Sequence, residues 1–87
     1  MTNVLIEADK IVNGPRAEAY GDAKENWGNT AAIVNSTLGT NLTAGECVLF
    51  MVGVKLARLR QTPFHRDSVV DICGYMQIYE KLRDAPE

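Results

Sequence analysis

Apolar residues recur with helical spacing over four stretches of the sequence. From about Asn3 to Asn13 they fall at i, i+1, i+4, i+7 and i+8, which makes one stripe on a helix. A weaker period covers Ala23–Leu38, and a nearly continuous apolar run lies within Ala44–Gln61. The fourth stretch starts near Arg66–Ser68, ends near Arg83 and has a broad apolar face. The pattern therefore predicts an all-α fold.

Residues that typically begin or end helices flank the first two stretches. Gly14-Pro15 should end the first helix, because glycine accepts a left-handed cap and proline cannot continue a helix. Asp22 is placed to cap the second helix, with Glu25 at the spacing of a capping box. Gly39 is a natural residue to follow the end of that helix.

The third and fourth helices also carry recognisable start signals. Thr43 and Glu46 are spaced so that each side chain can accept a hydrogen bond from the backbone amide of the other. We expect this capping box to begin the third helix. Asp67 or Ser68 is expected to cap the fourth helix, after a turn at Thr62–His65.

Two features of the third and fourth helices suggest close packing. Val48–Val54 is apolar all round, so it is expected at the centre of the fold or in an oligomer interface. Gly53 and Gly74 lie inside predicted helices, where a glycine costs ~1 kcal/mol relative to alanine. Close approach of a neighbouring helix is the expected compensation at both positions.

The length of the chain predicts one domain over residues 1–87, a compact bundle of about four helices with mostly antiparallel neighbours. A chain this short buries only roughly 60% of the surface that its unfolded form exposes. Hydrophobic residues make up 46% of the sequence and are concentrated in its second half. We therefore expect a homo-oligomer, in which a second copy covers part of the apolar surface.

The net charge, the N-terminal residues and the cysteines indicate which partners the protein can bind and in which cellular compartment it is expected. The formal net charge of −2 disfavours binding to polymeric nucleic acid, which requires a basic surface, but permits a local site for one small anion. Glu7 and Asp9 interrupt the N-terminal region where a signal peptide is apolar, and no membrane span is expected. Cys47 and Cys73 are expected to be buried and reduced. These observations predict a soluble cytoplasmic protein.

Lys55 and Arg58 form the first candidate site. They are three residues apart, so they share a helix face, and their apolar neighbours predict that this face is partly buried. One interpretation is structural, with ion pairs to Asp67 or Asp71 on the next helix. The other is recognition of a phosphate or carboxylate group, which suits the planar guanidinium of arginine.

Asp67 and Asp71 are the second candidate. Four residues apart, they lie on one helix face and are able to share a divalent metal ion. Asp67 is equally well explained as a helix cap. Val70 and Ile72 flank Asp71, so its carboxylate is expected to face inward and to be paired, because an unpaired buried charge is unfavourable.

Two further groups of residues are candidates for contact with a phosphate or a base. His65 and Arg66 lie at the start of the fourth helix, where free amides and the helix dipole attract anions. The alternative for His65 is a solvated loop residue. Arg16, Tyr20 and Trp27 combine a cation with aromatic rings, an arrangement suited to base stacking beside a phosphate. The alternative for both rings is a place in the core.

The pattern K-x-x-R … R-D-S-x-x-D-x-x-G-Y, which runs from Lys55 to Tyr75, resembles a family of short phage and prophage proteins of unknown function. The chain is more loosely similar to the nucleotide-modification-associated phage domain, which has a late Asp-x-x-x-Asp helix. It is also distantly similar to the all-α NTP pyrophosphatases, whose Glu-x-x-Glu and Glu-x-x-Asp pairs hold magnesium. This sequence has no Glu-x-x-Glu, and Asp67 and Asp71 are four residues apart. The resemblance therefore implies nucleotide affinity more than catalysis.

The leading hypothesis is a phage-type protein that binds and sequesters a nucleotide-derived, phosphate-bearing ligand in the host cytoplasm, without a cofactor. Some phage proteins of this size sequester nucleotide signals of bacterial immunity, and such a signal is the most concrete ligand. One alternative is a magnesium-dependent nucleotide pyrophosphohydrolase, with Asp67, Asp71 and Glu25 holding the metal. Another is a protein-interaction module without a ligand. The predicted ligand-binding residues are Arg16, Tyr20, Trp27, Lys55, Arg58, His65, Arg66, Asp67 and Asp71.

Overall fold

The computed structural model describes residues 3–14 and 22–83. Within these ranges the chain forms four helices and no strand, which confirms the all-α prediction. None of the helices in the described ranges combines the length and apolarity needed to cross a bilayer. The helices are α1 (Val4–Asn13), α2 (Ala23–Leu38), α3 (Ala44–Gln61) and α4 (Arg66–Lys81).

The two ends of α1 are held by Asn3 and Gly14. The Asn3 side chain accepts a hydrogen bond from the amide of Leu5 at 2.7 Å and so caps the helix. The helix ends at Asn13 as predicted, but Gly14 is extended, with φ −88° and ψ −161°, so the predicted left-handed cap is wrong. Glycine is needed there for space, because a Cβ atom would lie 2.2 Å from the carbonyl oxygen of Lys10.

The ends of α2 confirm one prediction and correct another. Gly39 is left-handed, with φ 69°, and its amide donates to the carbonyl of Asn35. Asp22 occupies the N-cap position, but its side chain makes no capping bond, so the predicted capping box with Glu25 is wrong.

The start of α3 is the predicted capping box. Thr43 Oγ1 accepts from the amide of Glu46 at 3.1 Å, and Glu46 Oε1 accepts from the amide of Thr43 at 2.9 Å. Two of the backbone donors at this helix end are thereby satisfied by local side chains.

The helix α4 begins at Arg66, within the predicted start, but its cap differs from the prediction. His65 is the N-cap, so neither Asp67 nor Ser68 fills that role. Helical bonding begins early, because the carbonyl of His65 already accepts from the amide of Val69 at 3.2 Å. The turn before it is closed by the His65 amide, which donates to the carbonyl of Thr62 at 3.2 Å.

The central helix is α4, which packs against α3 on one side and α1 on the other, while α2 packs mainly on α3. Cys47 is buried and Cys73 is half-buried, and both are free thiols. The buried apolar residues among those described are few and mostly small: Ala8, Ala31, Cys47, Val48 and Val70.

Gly74 and Gly53 turn out to have different surroundings. A Cβ atom at Gly74 would lie 3.3 Å from Val12 Cγ2, so α1 does approach α4 closely there, as predicted. At Gly53 no atom lies within 4 Å of such a Cβ, so the predicted close approach is wrong within this chain. The reason is that only one side of the Val48–Val54 run faces the core. Val48 is fully buried, whereas Phe50 is 68% exposed.

Candidate functional site

An ion pair between α3 and α4 forms the centre of the candidate site. Lys55 Nζ lies 2.9 Å from Asp71 Oδ2, and the two side chains are 22% and 37% exposed. The expectation that Asp71 is paired is confirmed. For Lys55, the structural interpretation as a partner of Asp71 is also confirmed, so part of its charge is already balanced.

A contact between an aromatic ring of α4 and one of α2 lies one helical turn beyond Asp71. Tyr75 follows Asp71 by one helical turn, and its ring meets that of Trp27 from α2. The ring centroids are 6.1 Å apart and the planes are inclined at 83°, which is an edge-to-face contact. Trp27 is half-buried, in agreement with a packing role. Sequence reasoning missed Tyr75, although its i+4 spacing from Asp71 is a usable signal.

A cavity of about 220 Å³ lies between α1 and α4. Asp71 and Tyr75 are the two lining residues with polar side chains, and the others are apolar or glycine. The lining residues are Ala8, Ile11, Val12, Val70, Asp71, Gly74, Tyr75 and Ile78.

Asp71 therefore has two roles in the geometry, as the partner of Lys55 and as part of the cavity wall. Trp27 reaches the same region through its contact with Tyr75. We call these four residues, Lys55, Asp71, Tyr75 and Trp27, the Asp71 cluster. It joins α2, α3 and α4 next to the cavity.

Arg58 and Asp67 lie outside this cluster. Arg58 is exposed, so the expectation that its face is partly buried is wrong for this residue. Three residues after Lys55, its position is rotated by about 60° around the helix, and its side chain is exposed. Asp67 is exposed in the first turn of α4, where a negative charge suits the helix dipole.

His65 and Arg66 at the start of α4 are both engaged. The His65 ring nitrogen Nδ1 lies 2.8 Å from the hydroxyl of Ser68, which is 1% exposed. The interpretation of His65 as a solvated loop residue is therefore wrong, because the buried hydroxyl holds the half-buried ring at the helix start. Arg66 pairs with Glu7 of α1 at 2.7 Å. Arg16, like Tyr20, lies outside the described residues.

The carboxylates of the magnesium alternative are not grouped in the described part of the chain. No set of three or more His, Cys, Asp or Glu side chains in residues 3–14 and 22–83 is arranged to hold a metal ion. Asp71 is committed to Lys55 instead.

The sequence model of a family described as a domain of unknown function, DUF6378, matches residues 3–83 of the chain. The chain belongs to the DUF6378 family. It is 38% identical over 82 residues to the Gene 55 protein of Mycobacterium phage L5, covering 93% of this chain and 53% of that protein. It is 30% identical over 84 residues to the Gene 55 protein of Mycobacterium phage D29, covering 97% of this chain and 56% of that protein. No solved structure matches it.

The relatives confirm the predicted resemblance to phage proteins. This DUF6378 chain spans about half the length of the two Gene 55 proteins, so the activity of those whole proteins does not transfer to it directly. The looser similarities to the nucleotide-modification-associated domain and to the NTP pyrophosphatases remain predictions.

Proposed function

We propose that this phage-type chain binds a nucleotide-derived, phosphate-bearing small molecule at the Asp71 cluster and holds it without hydrolysing it. The observation that carries the proposal is the double role of Asp71, which pairs with Lys55 and also lines the cavity. The ion pair of Lys55 and Asp71, the ring of Tyr75 and the mostly apolar cavity therefore lie next to one another.

The cavity suits part of a nucleotide rather than a whole one. Its volume of about 220 Å³ is below the roughly 300–1,000 Å³ of pockets for drug-sized ligands. Its apolar walls favour the faces of a base, and the carboxylate of Asp71 accepts hydrogen bonds from base N–H groups or a ribose hydroxyl. The hydroxyl of Tyr75 adds a second polar contact. Phosphate groups would therefore extend out of the cavity.

Arg58 is the cation best suited to those phosphates. Lys55 is balanced by Asp71 and Arg66 pairs with Glu7, whereas Arg58 projects into solvent one turn beyond Lys55. Its guanidinium offers the planar donor fork that matches phosphate oxygens. A phosphate bound there also gains from Lys55, because the ammonium is only partly screened by a half-exposed carboxylate.

Binding is tested by calorimetric titration of the chain with nucleoside mono- and triphosphates and cyclic dinucleotides, the latter representing bacterial immune signals. We expect at least one of them to bind, and Arg58→Gln to weaken that affinity ~10-fold through loss of a charge-assisted contact. Arg60→Gln, which removes an exposed arginine two residues further along α3, is the matched control and should leave the affinity unchanged. Absence of binding by every compound would contradict the proposal.

Holding and hydrolysis are separated in the same samples. The bound compound is incubated with the chain and Mg²⁺, released by denaturation and identified by mass spectrometry. Recovery of the intact compound supports sequestration. Recovery of a shortened nucleotide and pyrophosphate supports the pyrophosphohydrolase alternative, in which Asp67, Asp71 and Glu25 would hold magnesium.

A protein-interaction role is also favoured by a specific observation, since α3 exposes several large apolar side chains. This role and ligand binding use different sides of the helix. Leu49, Phe50 and Val54 are the exposed residues concerned, and none of them belongs to the Asp71 cluster.

A further inference from the structure

One side of α3 is an exposed apolar stripe with a charged residue at each end. Helical rotation places its members on one face, and all of them are exposed. Phe50 is 68% exposed, Leu49 44% and Val54 41%. We call this set the α3 face: Glu46, Leu49, Phe50, Gly53, Val54, Ala57 and Arg60.

Gly53 lies at the middle of the α3 face, and no contact within the described chain requires a glycine at this position. A glycine inside a helix costs ~1 kcal/mol relative to alanine, and no atom lies within 4 Å of where its Cβ would be. Ala57 follows one turn later, so two small residues interrupt the larger side chains of Leu49, Phe50 and Val54. Small residues at this spacing allow the backbone of another helix to approach closely.

The large apolar side chains that α3 exposes outnumber the apolar side chains that it buries. Leu49, Phe50, Val54 and Leu56 are exposed, whereas Cys47 and Val48 are the buried residues of this helix. The core described above is small, so a partner surface would add substantially to the burial of apolar side chains.

We propose that the α3 face binds the α3 face of a second copy, with the two helices antiparallel and crossing at Gly53. Glu46 and Arg60 are each seven residues from Gly53, so in this arrangement each Glu46 faces Arg60 of the other copy. Leu49 faces Ala57 of the other copy by the same symmetry. A parallel pairing would instead place like charges opposite each other. The charge pattern therefore selects the antiparallel, two-fold symmetric dimer.

The dimer is tested by sedimentation velocity over a wide range of chain concentrations. The wild-type chain should dimerise, and Phe50→Glu should raise the dimer dissociation constant at least ~100-fold, since the lost anchor occurs twice in the interface. Leu5→Glu is the matched control. Leu5 is 59% exposed on α1, which packs on α4, so this variant should dimerise like the wild type.

Charge reversal tests the antiparallel register. Arg60→Glu should weaken the dimer ~10-fold by placing it opposite Glu46, and adding Glu46→Gln in the same chain, which removes the opposed charge but keeps the capping acceptor, should recover part of the loss. Circular dichroism verifies that each variant keeps its helices. A wild-type chain that remains monomeric, a Phe50→Glu variant that still dimerises, or an Arg60→Glu variant of unchanged affinity would overturn the proposal. None of these outcomes depends on nucleotide binding.

Discussion

Lys55 and Asp71 connect α3 to α4 through an ion pair of 2.9 Å between half-buried side chains. A pair that is partly removed from water is stronger than a fully solvated one, but some of the gain is offset by desolvation. In a double-mutant cycle with Lys55→Met and Asp71→Asn, we expect a coupling energy of ~1 kcal/mol. Urea unfolding of the two single variants and the double variant measures it.

The matched comparison is the pair of Glu80 and Arg83 near the end of α4. Their side chains are 66% and 50% exposed, so the same cycle there should give only a few tenths of a kcal/mol. Equal coupling energies at the two sites would show that the position of Lys55 between the helices adds nothing to the pair.

The sequence correctly predicted two helix ends that depend only on residues close together in the chain. The capping box of Thr43 and Glu46 and the left-handed Gly39 depend on atoms a few residues apart, and both were found. Two helix caps were predicted wrongly even though they are local features. Asp22 makes no capping bond, and His65 rather than Asp67 or Ser68 is the N-cap of α4.

The candidate site was predictable only in part, because it depends on how the helices are rotated against each other. The apolar neighbours of Asp71 correctly indicated a paired carboxylate. They did not show whether Lys55 or Arg58 would be the partner of Asp71. These two cations share a helix face but differ in burial in the folded chain. Tyr75 and Trp27 are far apart in the sequence. The periodicity of apolar residues predicts helix faces but not which faces meet, so it did not predict this contact.

Alanine should have different effects at two helical glycines. Gly28 in α2 is exposed and has no atom within 4 Å of an added Cβ, so Gly28→Ala should raise the free energy of unfolding by ~1 kcal/mol. At Gly74 the same Cβ would lie 3.3 Å from Val12 Cγ2, and α1 would have to move. Gly74→Ala should therefore be no more stable than the wild type. Equal gains for both variants in urea unfolding would contradict the close contact of α1 and α4.

The two N-caps give a second contrast. The side chain of Thr43 makes a capping bond and that of Asp22 does not. We expect Thr43→Ala to lower the free energy of unfolding by ~1 kcal/mol and Asp22→Ala to lower it by much less. Glu46→Gln is a useful control, because glutamine preserves the acceptor of the capping box. A loss at Asp22 as large as that at Thr43 would mean that Asp22 caps α2 in solution.

Phe64 in the turn between α3 and α4 has a strained backbone and an exposed side chain. Its φ is 63°, in the left-handed region that is unfavourable for a bulky residue by ~1–2 kcal/mol, and it is 94% exposed. Asparagine tolerates this conformation, so Phe64→Asn should raise the free energy of unfolding by ~1 kcal/mol. Phe64→Ala removes the ring but keeps the strain, so it should give little or no gain. If both variants were stabilised equally in urea unfolding, removal of the exposed ring would be the cause and the backbone strain would not.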